Sequence, residues 1–114
     1  MKTLIAAALM AVSTVASAQS VYDKYGEVRE DILKGASQTD IQQTMRFTHA
    51  LGYVIGVSDA LASASVVCVP VGINKGNLAR AVVLAADRAG ANRSSNAAEP
   101  IGLALVSVFP CSNV

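Results

Sequence analysis

Residues 51–73 read LGYVIGVSDALASASVVCVPVGI, a mostly apolar run of 23 residues whose one formal charge is Asp59. A run of this length crosses a bilayer, fills a core or meets a partner. Its own residues argue against the bilayer. Pro70 and Gly72 break any helix near its end, Asp59 sets a carboxylate in its middle, and Cys68 is placed for pairing. The run therefore divides. Its first part continues a helix to about Ser65, and Val66 to Gly72 form an extended linker.

The chain opens MKTLIAAALMAVSTVASAQS. Lys2 is a positive start, Leu4 to Val12 is an apolar run of leader length, and Ala16, Ser17 and Ala18 give the small-x-small pattern of a cleavage site. The run is short for a membrane anchor. Residues 1–18 are thus expected to be a cleaved signal peptide, and residues 19–114 one small domain with no membrane segment. Cys68 and Cys111 are the chain's two cysteines. In an oxidising compartment they allow one intramolecular disulfide. Closing a loop of 43 residues contributes about 4 kcal/mol in the chain-entropy model. That is a large share of a small domain's stability.

Four helices and no strands are expected. The first spans Val21 to Gly35, with Tyr22, Tyr25, Val28, Ile32 and Leu33 as its apolar stripe. Gly26 weakens it and Gly35 stops it. The second starts at a Thr39 or Asp40 cap and turns Ile41, Met45, Thr48, Leu51, Val54, Ile55, Ser58 and Leu61 inward. Gly52, Gly56 and Ala60 lie four apart on one face, where another backbone can approach, within the chain or across a dimer. The third runs from Lys75 to about Ala89, capped by Asn74, with Leu78, Ala81, Val82 and Ala85 inward and Gly90 at its end. A polar loop, GANRSSNAAEP, follows. Asn96 and Glu99 suggest a capping-box arrangement, and Pro100 sits in the first turn of the last helix. Ile101 to Phe109 is apolar nearly all round, so that helix is expected to be central. Pro110 stops it, and Cys111 ties the tail back.

No catalytic constellation stands out. His49 is the single histidine, with no second histidine for a metal site and no free thiol as nucleophile. No phosphate-cradling glycine loop is present. Removal of Lys2 with the leader leaves eight basic and eight acidic residues, which gives no electrostatic footprint for nucleic acid or anionic lipid. Asp59, in an apolar helix, is expected to be buried and hydrogen-bonded to linker amides or to Arg80. Neither a metal nor a cofactor is expected. The remaining class works by binding. Arg88, Asn92, Arg93, Ser94, Ser95 and Asn96 form the best exposed element, either a partner-binding loop or an ordinary connector.

Three blocks, ALGYVIGVSDAL (50–61), VCVPVGINKGNLARAVV (67–83) and AEPIGLALVSVFPC (98–111), together with their order and spacing, resemble the Rap/Tai immunity family. From the first block to the last they span about two thirds of the chain after the leader. That resemblance implies an all-α periplasmic protein of a Gram-negative bacterium, frequently a homodimer, without enzymatic activity. It implies a partner that is a papain-like Cys-His peptidoglycan amidase delivered by type VI secretion, inhibited when a protruding loop fills its groove. Position and polarity suggest residues 88–96 for that loop. Two departures are visible. Ala36 and Ala50 stand where many members carry a second disulfide, and the loop is poorer in charge and richer in Ser and Asn. The alternative is an orphan binding or chaperone-like protein of the same fold.

Overall fold

A computed structural model describes residues 24–111. The expected signal peptide and Tyr22 lie outside the described residues. Four helices follow in order: α1 (Tyr25–Lys34), α2 (Ile41–Ser63), α3 (Lys75–Arg88) and α4 (Ala98–Val108). They form the expected all-α bundle. α3 packs most extensively on α4, and α1 on α2.

α1 buries Tyr25, Val28 and Ile32, as its spacing predicts. Gly35 stops it at φ 73°, a conformation that favours glycine, and its N–H donates to the Asp31 carbonyl. Asp31, although an acid, is only 9% exposed. Burial raises its carboxyl above the ordinary value, while Arg46, at 3.8 Å, pulls the other way.

α2 begins at Asp40, whose side chain accepts from the Gln43 N–H at 3.1 Å. Its inward face differs in part from the expected one. Ala50, Tyr53, Val54 and Ser58 are buried, whereas Ile41 and Met45 are 77% and 57% exposed. The cause lies in the first turn. Gln43 Nε2 donates to the Gly35 carbonyl at 2.9 Å, and Thr44 Oγ1 donates to the Ser37 carbonyl at 2.8 Å. These bonds point the Gln43 and Thr44 side at α1 and rotate Ile41 and Met45 outward. Tying down a polar side chain here outweighs burying a methionine, because an unpaired buried amide is the costlier error.

The long apolar run resolves as read. α2 ends at Ser63, and a linker follows with Ser65 at φ 60° and Gly72 at φ 82°. Val67 is buried and pairs with Pro110, and the Cys68 N–H donates to the Phe109 carbonyl at 3.0 Å. Cys68 and Cys111 form the expected disulfide, with Cα atoms 4.8 Å apart. No described helix is long and apolar enough to cross a membrane. Asp59 departs from expectation. It is exposed rather than buried, because α2 turns Val54 and Ser58 inward and leaves Asp59 on its outer face with the exposed Gly52 and Gly56.

Asn74 caps α3, accepting from the Asn77 N–H at 3.0 Å. Leu78 and Val82 face inward as expected. Ala79, Val83 and Ala86 complete the buried stripe, leaving Ala81 and Ala85 half-buried. In α4, Ile101, Ala104 and Leu105 are buried, and burial of a side chain like Ile101 contributes roughly 1.5–3 kcal/mol. α4 touches all three other helices, as the expected central helix should, but its outer side is not buried. Leu103 is 64% exposed and Val106 38%, because α4 packs on α1, α2 and α3 from one side only.

Candidate functional site

The loop between α3 and α4 is built by local chemistry. Gly90, at φ 79°, ends α3 with two bonds: its own N–H donates to the Asp87 carbonyl, and the Ala91 N–H donates to the Ala86 carbonyl. Asn92 then makes a turn, its Oδ1 accepting from the Ser94 N–H at 2.8 Å and its carbonyl from Ser95 Oγ at 2.6 Å. Asn96 Oδ1 accepts from the Ala98 N–H at 2.9 Å. The cap position of α4 is the next residue, Ala97, which makes no side-chain cap bond. The expected capping box of Asn96 with Glu99 is therefore corrected to a local Asn96 turn ahead of the helix.

The loop also serves α1. The Tyr25 N–H donates to the Ser95 carbonyl and the Gly26 N–H to the Arg93 carbonyl, both at 2.9 Å. These are the first two amides of α1, which no helical carbonyl can satisfy. Lys24 supplies no side-chain cap, so loop backbone takes that role. Residue 24 also pairs with Asn96 as an isolated bridge. The backbone of residues 93–96 is thereby fixed, while the side chains of Arg88, Asn92, Arg93, Ser94, Ser95 and Asn96 remain exposed. A loop held this way loses little entropy on binding.

A polar cluster under the loop ties α1 to the end of α3. The Tyr25 hydroxyl lies 2.7 Å from Asp87 Oδ1 and 2.9 Å from the Val83 carbonyl. Arg29 Nε donates to both Asp87 oxygens, at 2.8 and 3.0 Å. Partial burial alone would raise the Asp87 carboxyl. The bonds from Tyr25 and Arg29 and the charges of Arg29 and Arg93 outweigh it and hold that carboxyl below the ordinary aspartate value. Burial, then the Asp87 bond, pushes the Tyr25 hydroxyl up.

Beside the loop runs an apolar trough. One part, about 150 Å³, is lined by Ala85, Ala89, Leu103, Ala104 and Ser107, and a second, about 260 Å³, lies against Asn92, Ser95 and Glu99. Ala91, Pro100 and Leu103 line both, so the two are continuous. Among the described residues no group of three or more His, Cys, Asp or Glu is placed to hold a metal.

On α2, Gly52, Gly56 and Ala60 are exposed, and a Cβ at either glycine would meet nothing within 4 Å. They do not pack within the chain, so that half of the expectation is corrected. The described chain leaves them on an open face.

A family model of the Rap1a immunity proteins matches residues 17–111. The chain belongs to the Rap1a immunity protein family. No curated protein and no solved structure matches it. Membership in the Rap1a family implies an immunity protein, a class whose partner is a protein effector. In this member of the family, the loop chosen for its polarity carries its donors on a fixed backbone. Sequence reading missed two parts of the site. One is the use of loop carbonyls by α1, which Gly26 signals: its hydrogen-only side chain marks a close approach. The other is the trough, whose signal is the run of alanines 85, 86, 89 and 91 opposite Leu103.

Proposed function

We propose that this Rap1a family member is a periplasmic immunity protein that neutralises a peptidoglycan amidase delivered by type VI secretion. The observation that carries the reading is the family match across residues 17–111. The leader-like residues 1–18 and the disulfide suit the periplasm. A papain-like amidase needs its thiolate–imidazole pair open to a peptide strand. A fixed loop seated in that groove excludes substrate by occupancy alone, so the immunity protein acts as a binder and performs no catalysis. Arg88, Asn92, Arg93 and Ser94 supply donors for the groove's carbonyls and carboxylates. The open face of Gly52, Gly56 and Ala60 on α2 suits a homodimer contact.

The test is protection. Cells sending a cell-wall amidase to their own periplasm are expected to lyse without this protein and to grow with it. Replacing residues 88–96 by Gly and Ser is expected to abolish protection. Full protection by the replaced loop would remove the loop mechanism, and failure to protect against every amidase effector of neighbouring strains would remove the amidase reading. A second reading is an orphan, chaperone-like binder. The exposure of Ile41, Met45, Val71 and Leu103 favours it. It requires weak binding to many unfolded clients in place of one tight partner.

A further inference from the structure

We infer that the outward stripe of α3, Arg80, Leu84 and Arg88, together with Arg93 of the loop, docks an acidic segment of the partner protein, with an apolar residue of that segment set on Leu84. This rests on the reading of the loop as the effector-binding element and names the chemistry that its flank selects. Arg80, Leu84 and Arg88 are spaced by four, so they share one face of α3. That face is turned away from the core, since Leu78, Ala79, Val82, Val83 and Ala86 are the buried positions. It is also turned away from the trough, which none of the three lines. Asp87 borders it on the α1 side, where Arg29 holds the carboxylate. Arg93 closes the loop end: it lies against Gly26 at the start of α1, and its charge reaches Asp87.

Charge supplies the partner's character. Residues 75–97 carry four cations, Lys75, Arg80, Arg88 and Arg93, against the single acid Asp87. Arg29 and Tyr25 take up that acid, and Arg80, Arg88 and Arg93 make no ion pair among the described residues. Leu84, 37% exposed, sits between Arg80 and Arg88. An apolar centre with charges at its rim is the layout of a protein contact. Bases fit poorly, because the described aromatics are all buried or half-buried and offer no stacking platform. Eight residues of helix set Arg80 and Arg88 about 12 Å apart. An extended chain sets residues i and i+4 on one face about 13 Å apart, with i+2 between them. The stripe therefore complements an extended segment that reads acid, any residue, apolar, any residue, acid.

The experiment is an NMR titration of the ¹⁵N-labelled, disulfide-closed protein purified from the periplasm. The probes are two capped pentapeptide amides, glutamyl-seryl-leucyl-seryl-glutamyl and its counterpart with lysyl ends. Saturable shifts at the amides of residues 80, 84, 88 and 93 are expected with the first. The lysyl peptide is expected to bind roughly tenfold more weakly or worse, the size of two exposed ion pairs turned into repulsions. Arg80→Glu with Arg88→Glu, both at exposed positions that leave the core intact, is expected to weaken the first peptide by the same factor. Lys75→Glu changes one charge of the same helix off the stripe and is expected to leave its binding within twofold. An equal loss with Lys75→Glu, equal binding of the lysyl peptide, or no saturable shift with either peptide overturns the inference. So does tighter binding of phosphatidylglycerol vesicles through the same arginines, because the stripe then reads lipid. The immunity reading stands or falls separately. An amidase neutralised equally well by the doubly reversed protein keeps that reading and discards the stripe, whereas a peptide that binds without any amidase being neutralised does the reverse.

Discussion

Gly26 and Arg93 meet backbone to backbone. The Gly26 N–H donates to the Arg93 carbonyl at 2.9 Å, and a Cβ at Gly26 would lie 3.0 Å from Arg93 Cβ and 3.1 Å from the Arg93 oxygen. Helix propensity alone would make Gly26→Ala stabilising by about 1 kcal/mol. That is worth roughly 4–8 °C in Tm for a domain of this size. The contact reverses the benefit, since the loop must retreat from α1 and lengthen the bond that fixes it. Thermal unfolding of Gly26→Ala is expected to show no rise in Tm, and the Tyr25 and Gly26 amides are expected to exchange faster with solvent. A rise of the full propensity size would show that the loop yields at no cost and is not held there.

Tyr25 and Asp87 are the second brace of the loop. Tyr25→Phe removes the one hydroxyl that reaches both Asp87 and the Val83 carbonyl. It is expected to cost about 1–3 kcal/mol in urea unfolding, the range for leaving buried acceptors unsatisfied. The pH dependence has a definite sign. Asp87 titrates lower folded than unfolded. Its contribution is therefore complete above the ordinary aspartate value, about pH 4, and is lost as pH falls through the depressed folded value. Asp31 shifts upward on folding, so its protonation favours the folded state and opposes that loss. Asp87→Asn is expected to lower stability at neutral pH and to flatten the acid limb. An acid limb of unchanged slope would remove Asp87 as its source.

The parts of the fold legible in the sequence are those set by local rules. Asp40 and Asn74 cap, Gly35 and Gly90 stop, and Pro110 closes α4 where the residue types require it. The disulfide followed from there being two cysteines. Which face of a helix turns inward was legible only where apolar spacing was unopposed, as in α1. In α2 the Gln43 bond to Gly35 is a contact between side chain and distant backbone, invisible to periodicity, and it rotated Ile41 and Met45 outward. Asp59 misled for a related reason. An apolar neighbourhood in sequence is not one in space when the helix has an open side. The loop residues of the candidate site were found by polarity, but the trough beside them forms only when α3 and α4 pack.

The disulfide gives a prediction of magnitude. Cys68 and Cys111 join the linker after α2 to the tail after α4 and enclose 43 residues of separation. The bridge is expected to contribute about 3–4 kcal/mol, acting mainly on the unfolded chain. Cys68→Ser with Cys111→Ser is expected to lower the urea midpoint by that amount divided by the slope. The backbone pairing of Val67 with Pro110 and the bond from Cys68 to Phe109 should remain, so the helical signal is retained at low urea. A loss below 1 kcal/mol would mean that these backbone contacts alone hold the tail.

The glycines of α2 separate a monomer from a dimer. A Cβ at Gly52 or Gly56 meets nothing within 4 Å inside the chain. If the face is solvated, Gly52→Ala and Gly56→Ala each raise stability by about 1 kcal/mol through propensity alone. If two copies cross there, each added methyl forces the backbones apart and removes the close contact that small residues permit. The proposed homodimer therefore predicts a weaker dimer for the double variant in analytical ultracentrifugation, together with a more stable monomer on dilution. A double variant that is only more stable, with sedimentation unchanged at every concentration, places the dimer contact elsewhere or removes it.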